Sequence, residues 1–256
     1  MLEMAAELNE RLQVDVVFTI PIFGGLDVVE SVVVSWVVMA ILVGLSIFLT
    51  SGMKVWNPGK RQVIAETIVN FLDNLTIEML GEECKEYSQY IATVLLFIGL
   101  SNIMGLLGMK PPTKDLDVTI ALAVMSIVLI EAAGIRSKGV GGWFKSFTMP
   151  IAIVTPINIL EVFIRPLSLC MRLFGNVLGA FVIMEIIEQI LPVGLPLVFS
   201  MYFDIFDGFI QAYVFVFLTS LFIAEAAEPL PPAEPKRKKV KKHSKKVVPA
   251  NAAAGE

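Results

Sequence analysis

Apolar residues fill several stretches of the chain that are long enough to cross a lipid bilayer as helices. The clearest run is SVVVSWVVMAILVGLSIFLTSG at 31–52, and comparable runs lie at about 88–108 and 116–135. A hydrocarbon core of roughly 30 Å needs about 20 helical residues, and these runs lack the two-residue alternation of a transmembrane strand. Because backbone polar groups must be satisfied internally in lipid, the pattern predicts membrane-spanning helices.

The apolar pattern changes after Phe147. One long apolar stretch reaches about residue 191 and is interrupted by prolines, and a second runs from about 197 to 228. Pro192 and Pro196 bracket a tight turn between them. The two stretches predict a helical hairpin whose arms exceed the length of a perpendicular crossing, which indicates tilt.

The segment at about 62–80 has a different pattern, in which apolar residues recur at helical spacing opposite a polar side. The polar side carries Gln62, Glu66, Asn70 and Asp73. This pattern predicts an amphipathic helix that lies at the interface or packs on its neighbours without spanning. The fold class is therefore an all-α polytopic membrane protein with about five membrane crossings, an amphipathic helix and a long tilted C-terminal helical hairpin.

Basic residues give the orientation of these crossings. The connectors at 53–87 and 136–146 and the Lys-rich tail hold most of the Lys and Arg, whereas the other side holds only Arg11, Lys110 and Lys114. The positive-inside rule then places the N-terminus outside and the C-terminus in the cytoplasm. We expect a cell inner (plasma) membrane protein of a bacterium.

Three regions follow from this topology. Residues 1–30 form an N-terminal extracytoplasmic segment that is acidic and a poor match to a cleaved signal peptide. Residues 31–228 form the membrane domain, with the hairpin at 147–228. Residues 229–256 form a basic, disordered cytoplasmic tail that we expect to contact anionic lipid headgroups rather than nucleic acid.

Composition excludes several classes of protein. The chain is 56% hydrophobic and 17% charged, which is too apolar for an ordinary soluble domain. Cys84 and Cys170 fit neither a disulfide framework nor a metal site and are interpreted as free thiols. The sequence contains no P-loop, no HExxH and no serine elbow, and its one histidine, His243, lies in the tail. A secondary transporter would suit the broken helices, but no internal repeat is visible.

Arg172 is the most unusual charge, because it lies within an apolar segment and stays protonated at any accessible pH. It must face water, a carboxylate or both, and an ion pair within this chain is one alternative. At about 100° per residue, one stripe of the helix carries Arg165, Ser168, Arg172, Asn176, Gly179 and Ile183. Gly175 and Gly179 stand at GxxxG spacing, which permits close approach of another helix.

Carboxylates cluster near the predicted turn of the hairpin. Glu185 and Glu188 precede the turn, and Asp204 and Asp207 follow it at a similar depth. Such a cluster suits a hydrated path that exchanges protons or cations. A simple position at the aqueous interface is an alternative for Glu188 and Asp204, and for Glu188 it is an equal one. Gln211 lies deeper, where a helix-to-helix hydrogen bond is compatible with a role in the path.

The run PLSLCMRLFGNVLGA, followed by FIQAYVFVFLTSLFIAEA, resembles the signature of subunit a of F-type ATP synthases. NPGKRQVIAETIVNFLDNL and PPTKDLDVTIALA are similar to earlier segments of that family, so the resemblance covers roughly 31–228. It implies that Arg172 is the stator arginine, with Asn176 beside it and Gln211 opposite it on the last helix. Ser168, Gly175 and Gly179 would then pack closely against the rotor.

The resemblance also implies a mechanism and a set of partners. Two offset aqueous half-channels would lead ions to and from carboxylates on a ring of c subunits, and Arg172 would favour their ionised form. Proton or sodium flow would thereby drive rotation and ATP synthesis, without catalysis by this chain alone. Implied partners are the c-ring, the peripheral-stalk subunit b, the remaining ATP synthase subunits and the lipid bilayer. No cofactor, metal or nucleic acid is implied.

The chain departs from this family at one position. Many members carry Glu or His nine residues after the arginine, paired with His or Glu on the last helix. Here the first position is Phe181 and the partner position is Asp204. Glu185 lies one helical turn beyond Phe181. We hypothesise that Glu185 and Asp204 line the outer half-channel, with Glu188 and Asp207 nearby.

Overall fold

The computed structural model describes residues 16–20, 26–56, 59–107, 109–148, 152–190 and 194–229. A short antiparallel hairpin comes first, in which strand β1 (Val16–Ile20) pairs with β2 (Leu26–Val29). The basic tail, Pro150 and Pro192 lie outside the described residues, as does most of the predicted extracytoplasmic segment.

Helices make up nearly all of the rest of the described chain. They are α1 (Glu30–Thr50), α2 (Lys60–Leu80), α3 (Ser88–Ile103), α4 (Leu116–Ser146), α5 (Thr155–Ile190), α6 (Leu195–Ser200) and α7 (Gly208–Ala227). A π-helical segment, Met201–Asp207, joins α6 to α7. Short 3-10 turns lie at Glu82–Tyr87, Met104–Leu107, Pro112–Lys114 and Ala152–Val154.

Five segments of the described chain are long and apolar enough to cross a membrane, which confirms the all-α polytopic fold. They are Glu30–Thr50, Glu82–Leu107, Leu116–Ser146, Thr155–Ile190 and Val198–Ala227. The amphipathic helix α2 is not among them, in agreement with its pattern. The number of candidate spans in the described chain is the one expected from the apolar runs.

The main difference from the predicted elements lies in α4. The third apolar run was expected to end near residue 135 and to be followed by a turn. Helix instead extends past Ile135 and, after a kink at Gly139 inside the predicted turn, resumes as far as Ser146. Gly139 interrupts it with a φ of 69°, a conformation that glycine adopts without steric cost. Pro166 does not end α5. Helices in lipid tolerate such prolines because neighbouring groups satisfy the freed carbonyl.

The largest core lies between α3, α4, α5 and α7. Its most deeply buried side chains are Ile91, Ile98, Ile130, Leu169, Leu173, Phe215, Val216 and Ile223. Helix α1 buries only one edge, through Val34 and Val38 against Met104. The rest of α1 is exposed and apolar, as expected for a helix whose remaining surface meets lipid.

One buried amide fixes the region where α3, α4 and α7 meet. The Asn102 side chain donates to the carbonyl of Gly208 at 2.9 Å and accepts from Thr113 Oγ1 at 2.8 Å. A Cβ at Gly208 would lie 2.8 Å from the Cβ of Asn102, so only glycine permits this approach. Asn102 therefore ties the Pro112–Lys114 turn to the start of the last helix.

Candidate functional site

A cavity of about 340 Å³ lies between the C-terminal part of α5 and the start of α7. Its walls include five of the predicted site residues, Glu185, Glu188, Asp204, Asp207 and Gln211. The carboxylates that the hairpin was expected to hold at one depth therefore share one cavity. Lys110 and Pro111, from the turn before α4, form another part of its lining.

Asp204 is held from two directions. It lies in the π-helical segment, where the wider turn changes the direction of side chains relative to an α-helix, and such segments are frequent at functional sites. Ser200 Oγ donates to its carboxylate at 2.6 Å. On the other side a Cβ at Gly105 would lie 2.8 Å from Asp204 Oδ1, so the carboxylate packs against bare backbone.

Asn176 and Gln211 meet between α5 and α7. Asn176 Nδ2 donates to Gln211 Oε1 at 2.5 Å, and Gln211 is only 4% exposed. Within the described part of the chain, Gln211 Nε2 is buried without a hydrogen-bond partner. The two amides that the resemblance places beside the arginine are thus in direct contact.

Arg172 lies on a different face of α5 from the cavity. Its side chain is exposed, and it forms neither a hydrogen bond nor an ion pair with any residue that the structure describes. Ser168 and Gly175 are also exposed on this helix. A Cβ at Gly175 or Gly179 would meet no atom within 4 Å. Packing within the described residues therefore does not account for the small residues beside Arg172. The surface formed by Ser168, Arg172, Gly175 and Gly179 is called the open face of α5 below.

Lys114 contributes to the site in a way that the sequence analysis missed. Its Nζ lies 3.2 Å from the centroid of the Phe181 ring. Phe181 occupies the position at which the resemblance implies Glu or His. A cation over an aromatic face is a favourable contact. Lys114 lies far from Phe181 in the sequence, so only the fold brings them together.

A second polar cavity, of about 230 Å³, lies at the other end of α5 and α7. There Arg165 Nη2 lies 2.7 Å from Glu225 Oε1 and 3.5 Å from Glu161 Oε2. Trp143 Nε1 donates to Glu131 at 2.7 Å. Glu161 thus pairs with Arg165, and Glu131 accepts a hydrogen bond from Trp143.

The two cavities are well separated along α5. Their nearest lining residues on α5 are Arg165 and Val177, which are 12 residues apart, corresponding to about 18 Å of helix. Arg172 lies between them. In the described chain no cluster of His, Cys, Asp and Glu has metal-binding geometry, and Cys84 and Cys170 are buried free thiols.

These features define a class of protein: a polytopic helical membrane protein with charged interior cavities, of the kind that moves ions. The particular family follows from comparison, since the family model of the ATP synthase A chain matches residues 32–224. The chain belongs to this family.

Two relatives support the same conclusion. The chain is 34% identical over 215 residues to "ATP synthase subunit a, sodium ion specific" of Propionigenium modestum, covering 78% of this chain and 74% of the relative. It is 35% identical over 202 residues to "ATP synthase subunit a" of Moorella thermoacetica, covering 78% of this chain and 92% of the relative. The chain is accordingly an ion-transporting membrane subunit of a bacterial ATP synthase.

Proposed function

We propose that this chain is the stator that couples ion flow to rotation, with Arg172 acting on the carboxylates of a c-ring. The observation that carries the proposal is the open face of α5. A permanently charged side chain inside an apolar helix is costly unless it meets water or an opposite charge. Arg172 meets no carboxylate in the described chain, so a carboxylate from another subunit is the partner that suits it.

The small residues of the open face support the same partner. Ser168, Gly175 and Gly179 leave room for a neighbouring helix to approach, and small residues are typical of close helix packing in lipid. Asn176 is held by Gln211 and lies next to Arg172 along the helix. This arrangement suits a surface past which the helices of a ring move.

The two cavities support a path with two half-channels. The cavity with Glu185, Glu188, Asp204 and Asp207 is proposed as the outer one, and the cavity around Arg165 as the inner one. Their separation along α5 prevents an ion from crossing directly, so it must ride on the ring. Arg172 between them favours loss of the ion from each passing ring carboxylate, because a nearby cation stabilises the ionised form.

The proposal includes the orientation and partners of the chain. The positive-inside rule supports an outside N-terminus and a cytoplasmic C-terminus. Subunit b is expected to hold the stator in place, and the hairpin at 147–228 is expected to face the ring. ATP chemistry is expected to occur in the other subunits.

ATP-driven ion uptake into inverted membrane vesicles tests this function. We expect wild type to take up ions, and Arg172→Ala to lower the initial rate to less than about a hundredth, since charge stabilisation at one site commonly contributes factors of 10²–10³. Equal amounts of assembled complex must be shown first. Normal uptake by Arg172→Ala would overturn the proposal.

The same vesicles identify the ion. Acidification that does not depend on Na⁺ indicates protons, whereas ²²Na⁺ uptake that persists when protonophores are added indicates sodium. The Propionigenium relative is named as sodium specific and the name of the Moorella relative states no ion, so the vesicle assay decides the ion for this chain.

A further inference from the structure

We propose that Lys114 is the cationic partner of Glu185, so that a lysine–carboxylate pair on the wall of the outer cavity fills the place of the Glu/His pair of many family members. The inference rests on the proposed function, because it assigns a positioning residue to the outer half-channel. It concerns a residue that lies outside the hairpin at 147–228.

The first support is geometric. Lys114 Nζ lies 3.2 Å from the centroid of the Phe181 ring, and Phe181 and Glu185 are four residues apart on α5. Side chains at this spacing are neighbours, with Cβ atoms roughly 5–6 Å apart. Helical side chains lean toward the N-terminus, so the Glu185 side chain leans back over the turn that carries Phe181. The ammonium group is therefore within reach of the carboxylate.

The second support is burial. Glu185 is 5% exposed, although most of α5 around it is partly or fully exposed. A carboxylate removed from water requires an opposite charge or several hydrogen-bond donors. The other acidic groups of the cavity, on Glu188, Asp204 and Asp207, repel it.

Two lysines approach this cavity, and their contacts differ. Lys110 Nζ lies 3.4 Å from Glu30 Oε2, at the start of α1. Lys114 instead contacts α5 through Phe181, one turn from Glu185. Lys110 also lines the cavity, so the contact of Lys114 with Phe181 is the observation that selects Lys114.

The third support is that the backbone of Lys114 is fixed. The Pro112–Lys114 turn is anchored by Thr113, which is fully buried and donates to Asn102. Asp115 follows directly and caps α4 by accepting from the backbone N–H of Asp117 at 3.1 Å. The ammonium group is thus presented by a rigid turn, which suits a residue that positions another.

The pair would determine where the Glu185 carboxylate lies in the cavity. Held toward Phe181, the carboxylate stays on the α5 wall, across from the Asp204 carboxylate that Ser200 and Gly105 hold in place. An ion that enters the cavity would then meet two oppositely placed carboxylates in fixed positions. Lys114 is a positioning residue in this account, since it acts through Glu185.

A double-mutant cycle on the assembled enzyme tests the pair. We expect Lys114→Gln and Glu185→Gln each to lower the initial rate of ATP-driven ion uptake by about three- to tenfold, at equal assembly. Coupled residues give non-additive effects, so the double variant should be no slower than the slower single variant. Effects that multiply in the double variant, or an unchanged rate in Glu185→Gln, would overturn the inference.

Two further variants separate a specific pair from a general structural effect. The reversed pair, Lys114→Glu with Glu185→Lys, should be at least about threefold faster than either reversal alone, because only a direct pair is restored by exchange. Lys110→Gln is the matched control. In the double variant with Glu185→Gln, the two reductions in uptake rate should multiply. Equal coupling of both lysines, or no recovery on reversal, would contradict the pair. A normal rate in Arg172→Ala would instead refute the proposed function.

Discussion

The two sides of α5 differ in how far the rest of the described chain covers them. One side buries Leu169, Cys170 and Leu173 against neighbouring helices and ends at the carboxylate cavity. The open face, with Arg172, Gly175 and Gly179, finds no comparable partner within the described chain. The first side is completed by this chain, and the open face is expected to be completed by another subunit.

This difference shows how a site that two subunits form together can be recognised from one of them. Apolar residues on a lipid-facing surface need no partner, as the exposed side of α1 illustrates. A charge with small neighbours in an apolar helix is not suited to lipid, so it indicates a protein surface or water. The carboxylate cavity on the other side of α5 is the proposed route by which ions reach that surface.

The largest effect on the cavity side is expected at Asp204. Asp204→Asn keeps the shape of the side chain and its contact with Ser200 but removes the ionisable group. We expect ion uptake to fall about a hundredfold, since proton-transfer groups commonly contribute factors of 10²–10⁴. Initial rates in inverted vesicles measure this, and Ser200→Ala should lose much less. A normal rate in Asp204→Asn would remove Asp204 from the path.

A bulky residue on the open face should have the next largest effect. Gly175→Phe fits within this chain, because no atom lies near the added Cβ, but it would block a neighbouring helix. We expect coupled uptake to fall about tenfold, as overpacking at a helix contact costs about 1–3 kcal/mol. Gly44→Phe on the exposed side of α1 is the control and should retain most activity. Equal activity of the two variants would argue against a rotor contact at Gly175.

A buried contact between α3 and α7, in the core that also covers the packed side of α5, should affect stability rather than transport chemistry. Gly208→Ala places a Cβ 2.8 Å from Asn102 Cβ, so α3 and α7 must separate. We expect the free energy of unfolding to fall by about 1–2 kcal/mol, because overpacking outweighs the roughly 1 kcal/mol gain in helix propensity. Titration with SDS in mixed micelles measures this, with Gly44→Ala as the control. A stabilised Gly208→Ala would contradict the observed packing.

The smallest effect is expected away from both sides of α5. Arg136 Nη2 lies 2.9 Å from Glu86 Oε2, but both side chains are largely exposed. Surface ion pairs contribute about 0–1 kcal/mol, so Glu86→Gln should leave uptake within about twofold of wild type. The vesicle assay measures this directly. A loss comparable to that of Asp204→Asn would show that the connectors take part in the ion path.

Much of the fold was predictable because lipid imposes a simple rule on sequence. Long apolar runs gave the five crossings, and the amphipathic pattern at 62–80 gave α2. The lengths of the two helical parts of α4 were not predictable, because the polar residues after Ile135 resemble a longer turn, whereas the observed break is confined to a kink at Gly139. The β1–β2 hairpin was missed because its strands have only five and four residues. Strands this short give too few alternating positions for a recognisable pattern in the sequence.

The site was predictable only where its residues share a helix pattern. The buried charges and the proline-bounded turn indicated that Glu185, Glu188, Asp204 and Asp207 lie near one another. The π-helical segment was not predictable, since one extra residue in a turn leaves no periodic signal. Lys114 was missed because its contact with Phe181 depends on how a short turn packs, and its place in PPTKD indicated only an exposed loop.

Cysteine cross-linking tests most directly whether the open face of α5 meets the rotor. Ser168→Cys adds a thiol on this face, while native Cys170, two residues away and 4% exposed, serves as an internal control on the packed side. With a cysteine in the outer helix of the c subunits, we expect oxidation to link Ser168→Cys to the ring and to leave Cys170 free. Absence of that link, with ready linking from Val43→Cys on α1 instead, would contradict the account.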